Sequence, residues 1–194
     1  MNRLLLLVAL VLLCAAHVRA QIVSLYVTSS SARFSNVATG SIAATSGFQE
    51  QYASFFTSGV GGGVTFNFLP VGPVKLGLDF RGSTRPGTVG ADTAMAGFRV
   101  GFNPPLIRLK PYVQASGGYL ATRTVNVSTS SAGGTFNNKY AAWEILGGLD
   151  VPLAPFVDFR VIEVGGGQGI DVLGASNTPN VSLFTVNTGL VVHF

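Results

Sequence analysis

The stretch VKLGLDFRG, residues Val74–Gly82, decides how the rest of the chain is read. Val74, Leu76, Leu78 and Phe80 fall on one side of a two-residue repeat, and Lys75, Gly77, Asp79 and Arg81 on the other. A period of two belongs to a β-strand, whose successive side chains point to opposite faces. The faces differ in size as well as polarity: one is branched or aromatic, the other charged or very small.

The same alternation recurs outward from this stretch. AMAGFRVGF (94–102) sets Ala94, Ala96, Phe98, Val100 and Phe102 against Met95, Gly97, Arg99 and Gly101. AAWEILGGLDV (141–151) sets Trp143, Ile145, Leu149 and Val151 against Glu144, Gly148 and Asp150. FVDFRVIE (156–163) sets Val157, Phe159 and Val161 against Asp158 and Arg160, and its phase blurs near Glu163, as a β-bulge or a membrane rim would cause. GVGGGVTFNF (59–68) offers Val60, Val64, Phe66 and Phe68 against Thr65 and Asn67.

Two kinds of connection alternate between these segments. Leu69–Pro73, Asn103–Pro111 and Val151–Pro155 are short and carry proline, which suits turns and strand ends. The others, at about 36–54, 85–92, 125–138 and 165–180, are rich in Ser, Thr, Gly and Asn. Three turns and four loops join eight predicted strands, at 22–34, 55–68, 74–84, 93–103, 112–124, 139–150, 156–164 and 181–194. Each reaches the ~9 residues that a tilted strand needs to cross a bilayer.

Composition says which way the faces point. Only 10% of the 194 residues are charged, where about 25% is usual. No run after Ala16 approaches the ~18 apolar residues of a spanning helix. Residues 1–20, MNRLLLLVALVLLCAAHVRA, read as a signal peptide: Arg3, an apolar run from Leu4 to Ala16, and a small-residue site ending at Ala20. That predicts a single domain over 21–194, without the one cysteine, Cys14, and hence without disulfides. The net charge of +4 falls to about +2 without Arg3 and Arg19, too little to suggest nucleic acid as a partner.

A soluble barrel of the lipocalin kind also alternates, with its apolar face inward. Three features favour the inverse. The small residues Gly77, Gly97, Gly101, Gly118 and Gly148 share the charged face, as the narrow interior of eight strands requires. The charges on that face are of both signs, so Lys75, Asp79, Arg81, Arg99, Glu144, Asp150, Asp158 and Arg160 are expected to neutralise one another in a lumen. Aromatics gather at strand ends: Phe66, Phe68, Phe102, Phe156 and Phe194 at the turn end, and Phe34, Phe55, Phe56, Tyr119, Tyr140, Trp143 and Phe184 toward the loops. Two such belts suit a membrane barrel. The expected fold is all-β: an eight-stranded antiparallel up-and-down transmembrane β-barrel.

The closing segment NTGLVVHF, at Asn187, Gly189, Val192 and Phe194, resembles the terminal strand of bacterial outer-membrane barrels. Over residues 21–194 the chain looks like the small OmpA/OmpX-type barrel domains, without a periplasmic domain after the barrel. The resemblance implies the bacterial outer membrane, contact with its lipids, delivery by periplasmic chaperones, and a terminal strand read by the barrel-insertion machinery. A monomer is expected.

Chemistry is sparse. After residue 20 the one histidine is His193, at the turn end, so a Ser-His-acid triad at the outer surface cannot be built from it. It reads as structural. GVGGGV and VGGGQG lack the Lys-Ser/Thr of a phosphate loop. No cofactor or metal site is expected, and no enzyme. The expected role is structural and interactive, a membrane anchor displaying surface loops for interaction or adhesion. The loops carry no motif that names a ligand. The alternatives are a narrow passive channel, a lipid-modifying outer-membrane enzyme and a soluble secreted binder.

Overall fold

The computed structural model describes residues 23–40, 50–87, 89–104, 107–125, 135–171 and 180–194. The expected signal peptide over 1–20 lies outside them. Eight strands follow one another: β1 (Val23–Gly40), β2 (Glu50–Val71), β3 (Val74–Arg85), β4 (Val89–Phe102), β5 (Lys110–Val125), β6 (Thr135–Ala154), β7 (Val157–Ile170) and β8 (Val181–His193). Each pairs antiparallel with its neighbours in the chain, and β1 pairs with β8 to close the barrel. The seam runs from Ser24 opposite His193 to Ser35 opposite Ser182. Beyond it the Phe194 N–H donates to the Val23 carbonyl at 2.9 Å. Closure pairs the backbone groups that an open edge would leave bare.

The strands are longer than the sequence suggests, most of all at the loop end, although β6 also runs on to Ala154 through most of the expected Val151–Pro155 turn. β1 continues to Gly40, β2 begins at Glu50, β6 begins at Thr135 and β7 runs to Ile170. Gly165–Gly169, expected in a loop, continues β7. Ser, Thr and Gly read locally as loop formers, but pairing across the sheet overrides that weak preference. The turn end follows expectation more closely. Gly72 and Pro73 link β2 to β3, with Gly72 at φ 59°, a left-handed value that suits glycine.

The wall is apolar outside. Phe98 is 67% exposed, Ile145 58% and Val113 59%, whereas Asp79 and Arg160 on the inner face are at 0%. Phe98 and Ile145 are positions that the period-two reading assigns to the apolar face. At β7 the phase changes. The pairing with β8 slips between Arg160 and Glu163, so Val161 and Ile162 both face outward. Inward positions therefore shift from Asp158 and Arg160 to Glu163 and Gly165.

One expectation is corrected at the loop end of the lumen. Phe34 and Tyr140, read as belt aromatics, are buried inside the barrel. They join Leu120, Met95, Val37, Val181 and Leu183 in an apolar core, with Phe55 packed against Phe34 at 5.2 Å between ring centroids. An eight-stranded lumen has to be filled by side chains. Where the inward positions carry few charges, apolar ones fill it as in a soluble core. The interior thus has two tiers, apolar toward the loops and polar toward the turns.

Candidate functional site

The polar tier is organised around three carboxylates. Glu163 stands where the β7 bulge has turned it inward. It accepts two hydrogen bonds from Arg81, at 3.1 and 2.9 Å, and one each from Arg160 at 3.1 Å, Tyr112 at 2.5 Å and Asn187 at 2.8 Å. Asp79 accepts from Tyr26 at 2.9 Å, Thr65 at 2.7 Å, Gln114 at 2.8 Å and Arg81 at 3.1 Å. Asp150 accepts from Arg99 at 2.8 Å and from Arg160 at 3.0 Å. Two tyrosine rings pack between the guanidinium groups. The Arg99 guanidinium carbon lies 3.4 Å from the centre of the Tyr112 ring, and that of Arg160 lies 4.5 Å from Tyr26. Such cation–π contacts strengthen where water is excluded. A buried charge is tolerated when paired and fully hydrogen-bonded, and these carboxylates meet both conditions.

The sequence-derived charge set is divided by the structure. Arg81 joins Asp79, and Arg99, Asp150 and Arg160 form a chain of ion pairs. Asp158 sits apart, held by Lys110 at 2.7 Å and by His193 at 2.7 Å. Glu144 is buried without an ion pair among the described residues and accepts from Thr185 at 2.5 Å. Lys75 lines a cavity of about 50 Å³ at the turn end, together with Ser24, Arg99, Lys110, Asp158 and His193. Nearer the loops a cavity of about 30 Å³ is lined by Arg85 and Glu144. Arg85 donates to Ser30 at 2.7 Å and leaves two guanidinium nitrogens without a partner among the described residues.

Sequence reasoning missed Glu163, which accepts the most hydrogen bonds of these carboxylates, because it follows the bulge. It also missed Lys110, whose neighbour Pro111 marked it as part of a turn. Tyr26, Tyr112 and Gln114 were legible in principle, since they occupy inward positions of their strands. Of the terminal-strand residues, Asn187 points inward onto Glu163, while Val192 and Phe194 point out, Phe194 at 66% exposed. Among the described residues no cluster of metal-ligating side chains occurs.

No protein-family model and no curated protein sequence matches the chain. Solved structures do. Neisserial surface protein A aligns over 88% of this chain and 97% of its own, with a TM-score of 0.52 and 16% identity. The N-terminal β-barrel domain of Pseudomonas aeruginosa OprF aligns over 88% and 97%, at 0.49 and 16%. Ail, the attachment invasion locus protein of Yersinia pestis, aligns over 89% and 99%, at 0.47 and 11%, in a crystal containing the heparin analogue sucrose octasulfate. At these identities the first likeness establishes a shared fold.

Proposed function

Starting from a fold shared with a small bacterial surface barrel, we propose that this chain is an integral outer-membrane protein. Its barrel anchors it in the bilayer and displays the loop-end hairpins at the cell surface for interaction or adhesion. One observation carries this reading: the wall is apolar outside and charged inside. Val27, Phe56, Phe98, Val113, Ile145 and Phe184 all expose more than half their surface, while Asp79, Arg160 and Glu163 expose almost none. In water such a band would drive association; in hydrocarbon it is the favoured solvent contact. The closed ladder suits the same environment, because lipid offers no hydrogen bonds to backbone groups.

The turn end then faces the periplasm and the loop end the exterior. β1 and β2 continue pairing as far as Gly40 opposite Glu50, and β5 and β6 as far as Val125 opposite Thr135, forming the tallest parts of the barrel. An open channel is disfavoured, because Arg160, Glu163 and Asp79 occupy the middle of the lumen out of solvent contact. The chain works as a monomer with membrane lipid as its first partner. Its terminal strand, with Asn187, Gly189, Val192 and Phe194, serves the insertion machinery after periplasmic chaperones deliver it.

Two measurements test this. The protein should fractionate with outer membranes and shift its mobility on a detergent gel when boiled. An epitope inserted after Gly87, between β3 and β4, should be stained on intact cells, whereas one inserted at Gly72 should be stained only after permeabilisation. Recovery in the soluble fraction, or the reverse staining pattern, refutes the reading.

A further inference from the structure

The turn-end cavity contains an arrangement that neither the anchoring role nor the ion-pair network uses. His193 is the last residue of β8 and points inward. Across the seam its direct partner on β1 is Ser24. On the other side β7 brings Asp158, which pairs with Val191. The Ser24 hydroxyl lies 2.8 Å from His193 Nδ1, and His193 Nε2 lies 2.7 Å from Asp158 Oδ2. Lys110 Nζ holds the same carboxylate, at 2.9 and 2.7 Å from its two oxygens. Three strands thus deliver a hydroxyl, an imidazole and a carboxylate in one hydrogen-bonded row.

We propose that Ser24, His193 and Asp158 are a catalytic triad that hydrolyses small anionic carboxylic esters at the turn-end mouth of the barrel. The roles follow from the bonds. Asp158 accepts the Nε2 proton and so fixes the tautomer in which Nδ1 bears the lone pair. That lone pair faces the Ser24 hydroxyl and takes its proton. The two ring nitrogens exchange the roles they have in the serine proteases; in a neutral imidazole either nitrogen can accept a proton while the other donates one. The cavity of about 50 Å³ supplies a place for a reacting group, since Ser24 and His193 both line it.

The same cavity supplies the electrostatics. Lys75, Arg99 and Lys110 line it against Asp150 and Asp158. Arg99 and Lys110 are paired with those carboxylates, and Lys75 has no ion-pair partner among the described residues. The surplus positive charge favours a substrate with a negative group and stabilises an oxyanion forming on the attacked carbonyl. In the first half-reaction Ser24 Oγ bonds to the carbonyl carbon while its proton passes to His193 Nδ1. The bond to the alkoxide leaving group then breaks, and the leaving oxygen takes that proton. In the second half-reaction a water repeats the attack, and its proton goes by way of His193 to Ser24 Oγ as the carboxylic acid departs.

The test uses the full chain refolded in detergent micelles, with heat modifiability as the check of folding. Diisopropyl fluorophosphate should transfer its diisopropylphosphoryl group to the Ser24 hydroxyl with loss of fluoride, a mass gain located on the peptide containing Ser24. 4-Nitrophenyl hemisuccinate should be hydrolysed faster than 4-nitrophenyl acetate. Ser24→Ala and His193→Gln, still heat-modifiable, should each lose at least about 100-fold in rate. The proposal is overturned if the folded wild-type protein is not phosphorylated by diisopropyl fluorophosphate, if the adduct lies elsewhere, or if hydrolysis equals that of Ser24→Ala. Because the readout is taken in micelles, failure here leaves the membrane-anchor reading untouched.

Discussion

Arg160 donates to Glu163 at 3.1 Å although the two residues are three apart on one strand. A regular strand would place them on opposite faces. The slip in the β7–β8 pairing between them turns both inward, and Glu163 then also receives Arg81, Tyr112 and Asn187. One irregular step in the backbone therefore positions the acceptor on which β3, β5, β7 and β8 converge.

Removing that acceptor should be costly. Glu163→Ala leaves Arg81 and Arg160 short of a carboxylate in the buried lumen. Breaking a buried pair in this way costs about 3–5 kcal/mol. Denaturant unfolding in micelles should show a loss of that size. Arg81→Met combined with Glu163→Ala should recover part of it, and with Arg81→Met alone the set closes a double-mutant cycle that gives the coupling energy.

The direction of the wall can be probed with arginine. Ile145 and Phe98 face outward on β6 and β4, so Ile145→Arg and Phe98→Arg place a charge in the apolar band. Each should destabilise the barrel in lipid vesicles by about 2–4 kcal/mol. Lys139→Glu, on the outward face of β6 at the loop end where a charge already stands, should change stability by under about 0.5 kcal/mol. Equal effects at all three positions would contradict a lipid-facing wall.

The apolar tier predicts a difference between two neighbouring aromatics. Phe34 is at 0% exposure inside the barrel, and Phe56 is 70% exposed outside it. Phe34→Ala should cost about 3–5 kcal/mol through the cavity it leaves. Phe56→Ala should cost much less. Unfolding midpoints of the two variants in one detergent make the comparison.

Gly189 separates recognition from packing. A Cβ at this position would run into the Val27 carbonyl and the Thr28 Cα across the seam. Gly189→Ala should therefore impair refolding into micelles, with no insertion machinery present, by about 1–3 kcal/mol. If the glycine mattered only as a signal, unaided refolding would match the wild type.

Much of the architecture was legible from period-two alternation, because a strand facing two different media must alternate whatever its neighbours are. The stretches at Val74–Gly82 and 94–102 placed Asp79, Arg81 and Arg99 on one face, and their strands, together with the alternating turns and loops, implied eight strands in meander order. The extra strand length at the loop end was not legible, since Gly165–Gly169 forms strand through partners on β6 and β8. Local composition cannot report those partners.

Which residues alternate, and so which side of each strand is apolar, is written in the order of amino acids along each strand. Pairing across the barrel decided the rest. It placed the bulge that turns Glu163 inward, buried Phe34 and Tyr140 in a core at the loop end, and set His193 between Ser24 and Asp158. The reason is physical: alternation is a property of one strand, whereas contact inside a cylinder depends on how the staggered registers of all eight add up around it.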